Sequence, residues 1–186
     1  GFPSFVGIGQ DSSGRAQGMA LALAKGIGST RSGAIEVTFA QEAELDLFSE
    51  QALGPIMSAA FLTAIEVELE AGYPPEAVLL ELYMSGELGV VFNAMVEKGF
   101  IRQMDLHSRT SQYGTMTRRP RFATPELKAR MKEVLEEIRS GQFAREWTEE
   151  QRAGLPHFRS LKEQALKHPL NDLEDHLKRE LRKKDA

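Results

Sequence analysis

The amino-acid sequence predicts an all-α domain built from roughly eight or more helices, and three observations carry that expectation. Apolar residues recur three and four positions apart through most of the 186 residues. Gly and Pro clusters punctuate the chain between those blocks. Strand-like alternation is confined to one stretch, Ile35, Val37 and Phe39, and a single short extended piece does not make a sheet.

The elements follow in order. Asp11-Ser12-Ser13-Gly14 opens a small-residue helix from Ala16 to about Lys25, with Met19, Ala20, Leu23 and Ala24 on one face. Gly26-Ile27-Gly28 and Gly33 break the pattern, and helix resumes near Gln41 and runs past Gln51. Gly54-Pro55 is expected to kink or end it. A further segment runs from Ile56 to Glu70, closed by Gly72. Pro74-Pro75-Glu76 starts the next helix, interrupted at Gly86. Beyond that, Leu88, Val91, Phe92, Met95 and Val96 make a core-facing stripe that stops at Gly99. The polar stretch from Asp105 to Arg121 is expected to hold a helical turn or two at most. Thr124-Pro125-Glu126 caps a helix carrying Met131, Val134, Leu135 and Ile138. Gly141, Gly154-Leu155-Pro156 and His168-Pro169 then separate three more helices, the last from Leu170 to about Lys184.

Composition narrows the function classes. With 41% hydrophobic and 27% charged residues the chain is ordinary for a globular protein. No apolar run is expected to approach the ~20 residues that span a bilayer, and the first residues form no signal peptide. The expectations are therefore no membrane partner and a cytoplasmic location. There is no cysteine, which excludes disulfides, thiol nucleophiles and Cys-ligated zinc. Charge is unevenly placed: residues 1–93 carry three basic and twelve acidic side chains. The basic residues of the second half are interleaved with acids, so nucleic acid is not an expected partner. Gly7-Ile8-Gly9 lacks a third glycine and Gly26-Ile27-Gly28 leaves a helix rather than entering one, so neither is a dinucleotide fingerprint. No P-loop and no H-E-x-x-H appears among the four histidines.

The constellation with chemical content is Glu42-x-Glu44-x-Asp46-x-x-x-Glu50. Asp46 and Glu50 are four apart and share a helical face. No Lys or Arg lies between Glu36 and Glu70 to relieve their repulsion. A hard divalent cation such as Mg²⁺ would relieve it; a solvated acidic face is the plainer alternative, against which the apolar Leu45, Leu47 and Phe48 place Asp46 near the core boundary. Glu81 and Glu87, six apart, share no face unless Ser85-Gly86 breaks the helix between them. His107-Ser108-Arg109-Thr110-Ser111 is either a binding loop or a helix cap. Spacing alone decides none of these.

The order of motifs adds a family. Gln10-Asp11-Ser12-Ser13-Gly14, Ala24 to Gly33 and Glu36-x-Thr38-Phe39 resemble the start of the helical C-terminal domain of ketol-acid reductoisomerases. Asp46-Leu47-Phe48-x-Glu50-Gln51 resembles that family's metal-binding DLFGEQ motif, with Ser49 in place of glycine. Glu70-Ala71-Gly72-Tyr73, Ser108-x-Thr110-x-x-Tyr113-Gly114, Gly141-x-Phe143-Ala144 and His168-Pro169-Leu170 extend the resemblance along the whole chain, in the size of the short, class I form. The resemblance implies a Mg²⁺-dependent alkyl migration in a 2-acetohydroxy acid followed by NADPH reduction, a step of valine and isoleucine synthesis. It implies Asp46 bridging two Mg²⁺ ions and Glu50 ligating one, as the catalytic pair. Ser108 would contact substrate, with His107 and Ser111 lining the pocket. It also implies an intertwined, knot-like helical fold, and a homodimer or an oligomer of dimers.

Two departures accompany it. The family's helix after Pro-Glu presents two glutamates four residues apart to the partner's metal site. Here one register reaches Glu81 and the other Glu87, as though two residues were added. The chain also begins at Gly1-Phe2-Pro3, about where the family's NADPH-binding Rossmann domain ends. Residues 1–186 are therefore expected to form a single metal-binding, substrate-binding and dimerising domain, with NADPH held by an absent N-terminal domain and no cofactor-binding residue in this chain. The alternative is a non-catalytic dimerisation module derived from that fold.

Overall fold

The computed structural model describes residues 2–182 and divides into two compact units. The first comprises residues 1–55 and 132–143. It opens with a β-α-β piece: β1 (Ser4–Val6), α1 (Ala16–Gly26) and β2 (Ala34–Glu36). The strands pair in parallel, Ser4 with Ala34, Phe5 with Ile35 and Val6 with Glu36. Parallel neighbours need a crossover, and α1 supplies it. Gly28, at φ 85°, turns the chain out of α1. Two residues after β2, Thr38 and Gln41 form a reciprocal cap: the Thr38 hydroxyl accepts from the Gln41 N–H (3.1 Å) and the Gln41 side chain accepts from the Thr38 N–H (2.9 Å). That cap starts α2 (Phe39–Phe48).

A wide π-helical turn, Ser49–Leu53, follows α2, and α3 (Gly54–Glu70) follows without a break. Phe39–Glu70 is thus one helix of 32 residues, and Gly54-Pro55 does not end it. The reason is local. Pro55 has no N–H to offer the preceding turn, and its ring crowds the carbonyl four residues back. The wide turn opens the ladder at that place, with the Gly54 N–H bonded five residues back to Ser49.

The second unit comprises residues 56–131 and 144–186. α4 (Pro75–Leu79) runs into another π-helical turn, Leu80–Met84, in which the Ser85 N–H reaches back to the Leu80 carbonyl at 3.2 Å. Gly86, at φ 80°, then breaks the helix before α5 (Glu87–Lys98). The core of this unit is Ile65, Val78, Leu79 and Leu177, with Leu69, Leu80, Tyr83, Leu170 and Leu173 against it. α10 (Leu170–Arg182) therefore packs on α4 and its π-turn; the expected end near Lys184 lies outside the described residues. Between them come α6 (Arg109–Arg118), α7 (Pro125–Arg139), α8 (Gln142–Arg152) and α9 (Pro156–Leu166).

Several expectations are corrected. The chain is not all-α, because the Ile35 stretch finds a partner strand in Ser4–Val6 that alternation alone did not mark. The Asp105–Arg121 stretch holds a ten-residue helix, started by the Ser108 hydroxyl accepting from the Ser111 N–H at 3.2 Å. The α5 stripe is not core: Ala94 is the residue buried there, and Val96 is 86% exposed. Asp46 is exposed rather than at a core boundary. Phe39–Glu70 and Pro75–Lys98 are also long and apolar enough, by length and composition, to cross a membrane, because isolated glutamates interrupt an apolar run without ending an apolar helix. Only 11% and 17% of their apolar windows are buried.

Leu79, at 1% exposure, is the centre of the second unit's core. Leu79→Ala is expected to destabilise the protein by about 3 kcal/mol, read as a lower midpoint in urea unfolding with an unchanged slope.

Candidate functional site

The first unit carries Asp46 at the end of α2 and Glu50 on the π-turn that follows. Both are exposed, and neither side chain hydrogen-bonds or ion-pairs among the described residues. Glu44, two residues before Asp46, is different: its carboxylate accepts from Arg139 Nε at 2.8 Å, an ion pair at one edge of an apolar cleft of about 600 Å³ lined also by Val37, Leu45, Phe48 and Leu135. Arg139 thus neutralises Glu44 and leaves Asp46 and Glu50 as free oxygen donors. Such donors suit Mg²⁺, which takes one or two protein carboxylates and fills its octahedron with water and substrate oxygens. Among the described residues no three His, Asp or Glu side chains gather into a metal-holding cluster.

The second unit carries the other predicted residues. Glu81 lies on the π-turn and lines a cleft of about 390 Å³ with Glu68, Tyr73, Ala77 and Val78. Glu87 opens α5 beyond the Gly86 break and is not among the residues lining that cleft. The helix break between the two glutamates, a condition for their sharing a face, is present. His107 is half-buried, its Nε2 2.9 Å from Oε1 of the buried Gln103, while its carbonyl accepts from Gln112 Nε2 at 2.9 Å. Ser108 and Ser111 meet at the start of α6. The Ser108 oxygen accepts from the Ser111 N–H, which leaves its own proton free to donate outward.

Two features of the structure had no mark in the sequence reading. Tyr83, on the same π-turn as Glu81, donates a short hydrogen bond from its hydroxyl to Glu174 Oε1 on α10 and stacks edge-on against Phe61. Burial, and then the adjacent Glu174 carboxylate, hold the Tyr83 phenol well above its ordinary range. The partners are 91 positions apart, so no local spacing signals them. The second feature is a cleft of about 480 Å³ at the carboxyl end of β1, lined by Gly7, Gly9, Asp11, Ser13, Met19 and Leu23 among others. That is where α/β sheets place ligands, outside the carboxyl ends of parallel strands. Asp11 fixes the loop: its Oδ1 accepts from the Ser13 and Arg15 N–H groups, each at 3.2 Å.

A parallel β-α-β edge with a cleft at its strand end is continued by helices bearing exposed carboxylates, the arrangement of an α/β element joined to a helical array. Comparison with known proteins gives the class a family. Residues 39–183 match the ketol-acid reductoisomerase C-terminal domain, and residues 1–33 match the acetohydroxy acid isomeroreductase NADPH-binding domain. The chain belongs to the ketol-acid reductoisomerase family of enzymes. A solved structure of an NADH-preferring ketol-acid reductoisomerase from an uncultured archean is similar at 32% identity and a TM-score of 0.85, over 94% of this chain and 53% of that one. The chain thus spans about half the length of that relative.

These matches correct the sequence reading where it was most definite. The NADPH-binding domain is not absent: residues 1–33 match it. The chain is therefore not a C-terminal domain alone, the expectation that no part of the cofactor domain lies in it is overturned, and a non-catalytic dimerisation module built on that absence is set aside. The physical reason is that the glycine fingerprint belongs to the first β-α turn of a dinucleotide domain. Ser4–Glu36 forms a parallel β-α-β unit without it.

Burial acts to raise the Asp11 carboxyl, but the backbone N–H groups of Ala16, Ser13, Gly14 and Arg15 outweigh it and set it below the ordinary 3.8. A lowered folded pKa means that the loop's stabilisation is complete above the ordinary value and is lost as pH falls through the folded one. Amide exchange of Ser13 and Arg15 is expected to accelerate over that acid range, beyond its intrinsic pH dependence, and Asp11→Asn is expected to remove the transition.

Proposed function

We propose that this chain works as a Mg²⁺- and nicotinamide-dependent ketol-acid reductoisomerase, acting on a 2-acetohydroxy acid in valine and isoleucine synthesis. The observation that carries the reading is the pairing, in one compact unit, of a segment matching the NADPH-binding domain with the free carboxylates Asp46 and Glu50. When bound, Mg²⁺ supplies Lewis-acid polarisation of a substrate oxygen. Asp46 and Glu50 hold the ion through hard oxygen donors at the end of α2. Glu87, and with it Glu81, gives carboxylates to the metal site of a second copy. Ser108 donates its free proton to the substrate carboxylate, and His107 and Ser111 line the pocket beside it. The cleft beside Asp11 is the nicotinamide-side contribution of residues 1–33.

A homodimer, or an oligomer of dimers, is part of the same proposal. Val67 on α3 and Val90, Phe92 and Val96 on α5 are exposed in the single chain, and large uncovered apolar faces mark association surfaces. Burial against a second copy accounts for helices that are apolar enough for a membrane yet carry Glu66, Glu68, Glu81 and Glu87.

The test is calorimetric titration of Mg²⁺ into the wild-type chain, Asp46→Asn and Glu87→Gln, with mass measured by light scattering. Wild type is expected to bind Mg²⁺ as a dimer or larger, and each variant to weaken binding at least about tenfold. Oxidation of NADPH and of NADH with a 2-acetohydroxy acid is then followed at saturating Mg²⁺, since the archaeal relative prefers NADH. A wild-type chain that binds no Mg²⁺, or that oxidises neither cofactor, overturns the reading.

A further inference from the structure

The π-turn Leu80–Met84 is held from outside, by a helix that arrives almost a hundred residues later. Tyr83 on the turn donates its hydroxyl proton to Glu174 of α10, and Phe61 of α3 closes on the tyrosine ring with centroids 6.0 Å apart. Leu177, one turn further along α10, is buried against Val78 and Leu79 immediately before the turn. At the other end of α4, His176 Nε2 lies 3.7 Å from Glu76 Oε1. On its other side, Glu174 has Lys178 Nζ at 3.7 Å.

A π-turn holds one residue more than an α-turn and is rare unless something selects it. Were this turn to relax to α geometry, each residue after it would rotate by about 100° about the axis. Glu81 lies inside the turn, and Ser85, Gly86 and Glu87 follow it directly. The register of the turn therefore sets where both carboxylates project. Glu81 faces the cleft formed with Glu68 and Tyr73 in the register that the Tyr83–Glu174 bond secures.

We propose that Tyr83 and Glu174 are positioning residues, a latch by which α10 fixes the π-turn and so orients Glu81 and Glu87 toward the metal they ligate. The latch rests on the reading of those glutamates as Mg²⁺ ligands. It gives α10 a function in the site through the turn on which it packs. It also accounts for the broken register of the glutamate pair: the turn that displaces Glu87 from Glu81 is the turn that the latch stabilises.

The experiment uses the whole chain and measures Mg²⁺ affinity by calorimetry together with the melting temperature in metal-free buffer. Tyr83→Phe and Glu174→Ala are expected to weaken Mg²⁺ binding about tenfold, as loss of a partner behind a metal ligand does. Turnover at saturating Mg²⁺ should stay near that of wild type. Glu174→Gln keeps an acceptor for the Tyr83 hydroxyl and is expected to restore most of the affinity. His176→Gln removes the contact at the far end of α4 and is expected to lower the melting temperature without moving Mg²⁺ affinity. If Tyr83→Phe and His176→Gln weaken Mg²⁺ binding alike, or if Tyr83→Phe lowers only the melting temperature, α10 is merely structural and the latch is overturned. If Asp46→Asn loses Mg²⁺ binding while Tyr83→Phe and Glu174→Ala bind as wild type does, the latch alone fails. If Asp46→Asn and Glu87→Gln bind as wild type does, the metal reading fails and the latch with it.

Discussion

A helix that must keep one hydrogen-bond ladder while turning its side chains out of phase has few ways to do so, and this chain uses the same one twice. At Ser49–Leu53 the ladder widens by one residue and then closes again, and at Leu80–Met84 it widens just before Gly86 breaks the helix. The first widening keeps Pro55 inside a continuous helix and puts Glu50 on a turn whose phase differs from that of α2, where Asp46 sits. The second puts Glu81 on the turn and hands the chain to Gly86 just before Glu87. Wide turns are less well hydrogen-bonded than α-turns and recur at functional sites. Here both coincide with the acidic residues that the family resemblance singles out.

Such turns need support from elsewhere in the fold. Around Leu80–Met84 that support comes from α10, through buried Leu177 and the Tyr83–Glu174 hydrogen bond. The rest of the helical surface is less well covered. Ile65, Val78, Leu79 and Leu177 form a small core, while Val90, Phe92 and Val96 stay open on α5. At about 25 cal/mol per Å² of apolar surface removed from water, covering those faces with a second copy is a large driving force. The same surfaces explain why a sequence stripe at Leu88, Val91, Phe92, Met95 and Val96 reads as core-facing. The periodicity reports that a face is meant to be buried, and does not say against which chain.

That distinction separates what was legible from what was not. Most helix boundaries lay in local chemistry: the small-residue start of α1, the Pro75-Glu76 start of α4, Gly99 at the end of α5 and Thr124, whose hydroxyl accepts from the Leu127 N–H at 3.3 Å. Asp46 and Glu50 were made candidates by spacing and by the missing basic partner, both of which are sequence properties, and the structure leaves both side chains exposed. Three things lay outside local chemistry. The β1–β2 pairing joins segments 30 residues apart in register. A π-turn differs from an α-turn by a single residue, which helical periodicity does not resolve. The Tyr83–Glu174 bond exists only once α10 has packed. Ser108 stands between these cases, since its hydroxyl was legible as a cap or as a binding group, and the structure shows the cap.

The boundary between the two family matches, residues 33 and 39, is not the boundary between the two compact units, which falls after Pro55. The difference has a physical basis. Only Val37 and Thr38 separate β2 from α2, the Val37 N–H continues the strand pairing to the Val6 carbonyl at 3.0 Å, and the Thr38–Gln41 cap begins the helix at once. No flexible linker intervenes, so the β-α-β piece and α2 fold within one compact unit. Gly7 and Gly9, on the loop after β1, lie against Val37 and Phe39 and seat the rim of the β1 cleft on the start of α2. A joint of this kind fixes the relative placement of the groups carried on either side of it. The strand β1, within the segment that matches the NADPH-binding domain, and the helix that carries Asp46 thus belong to one compact unit.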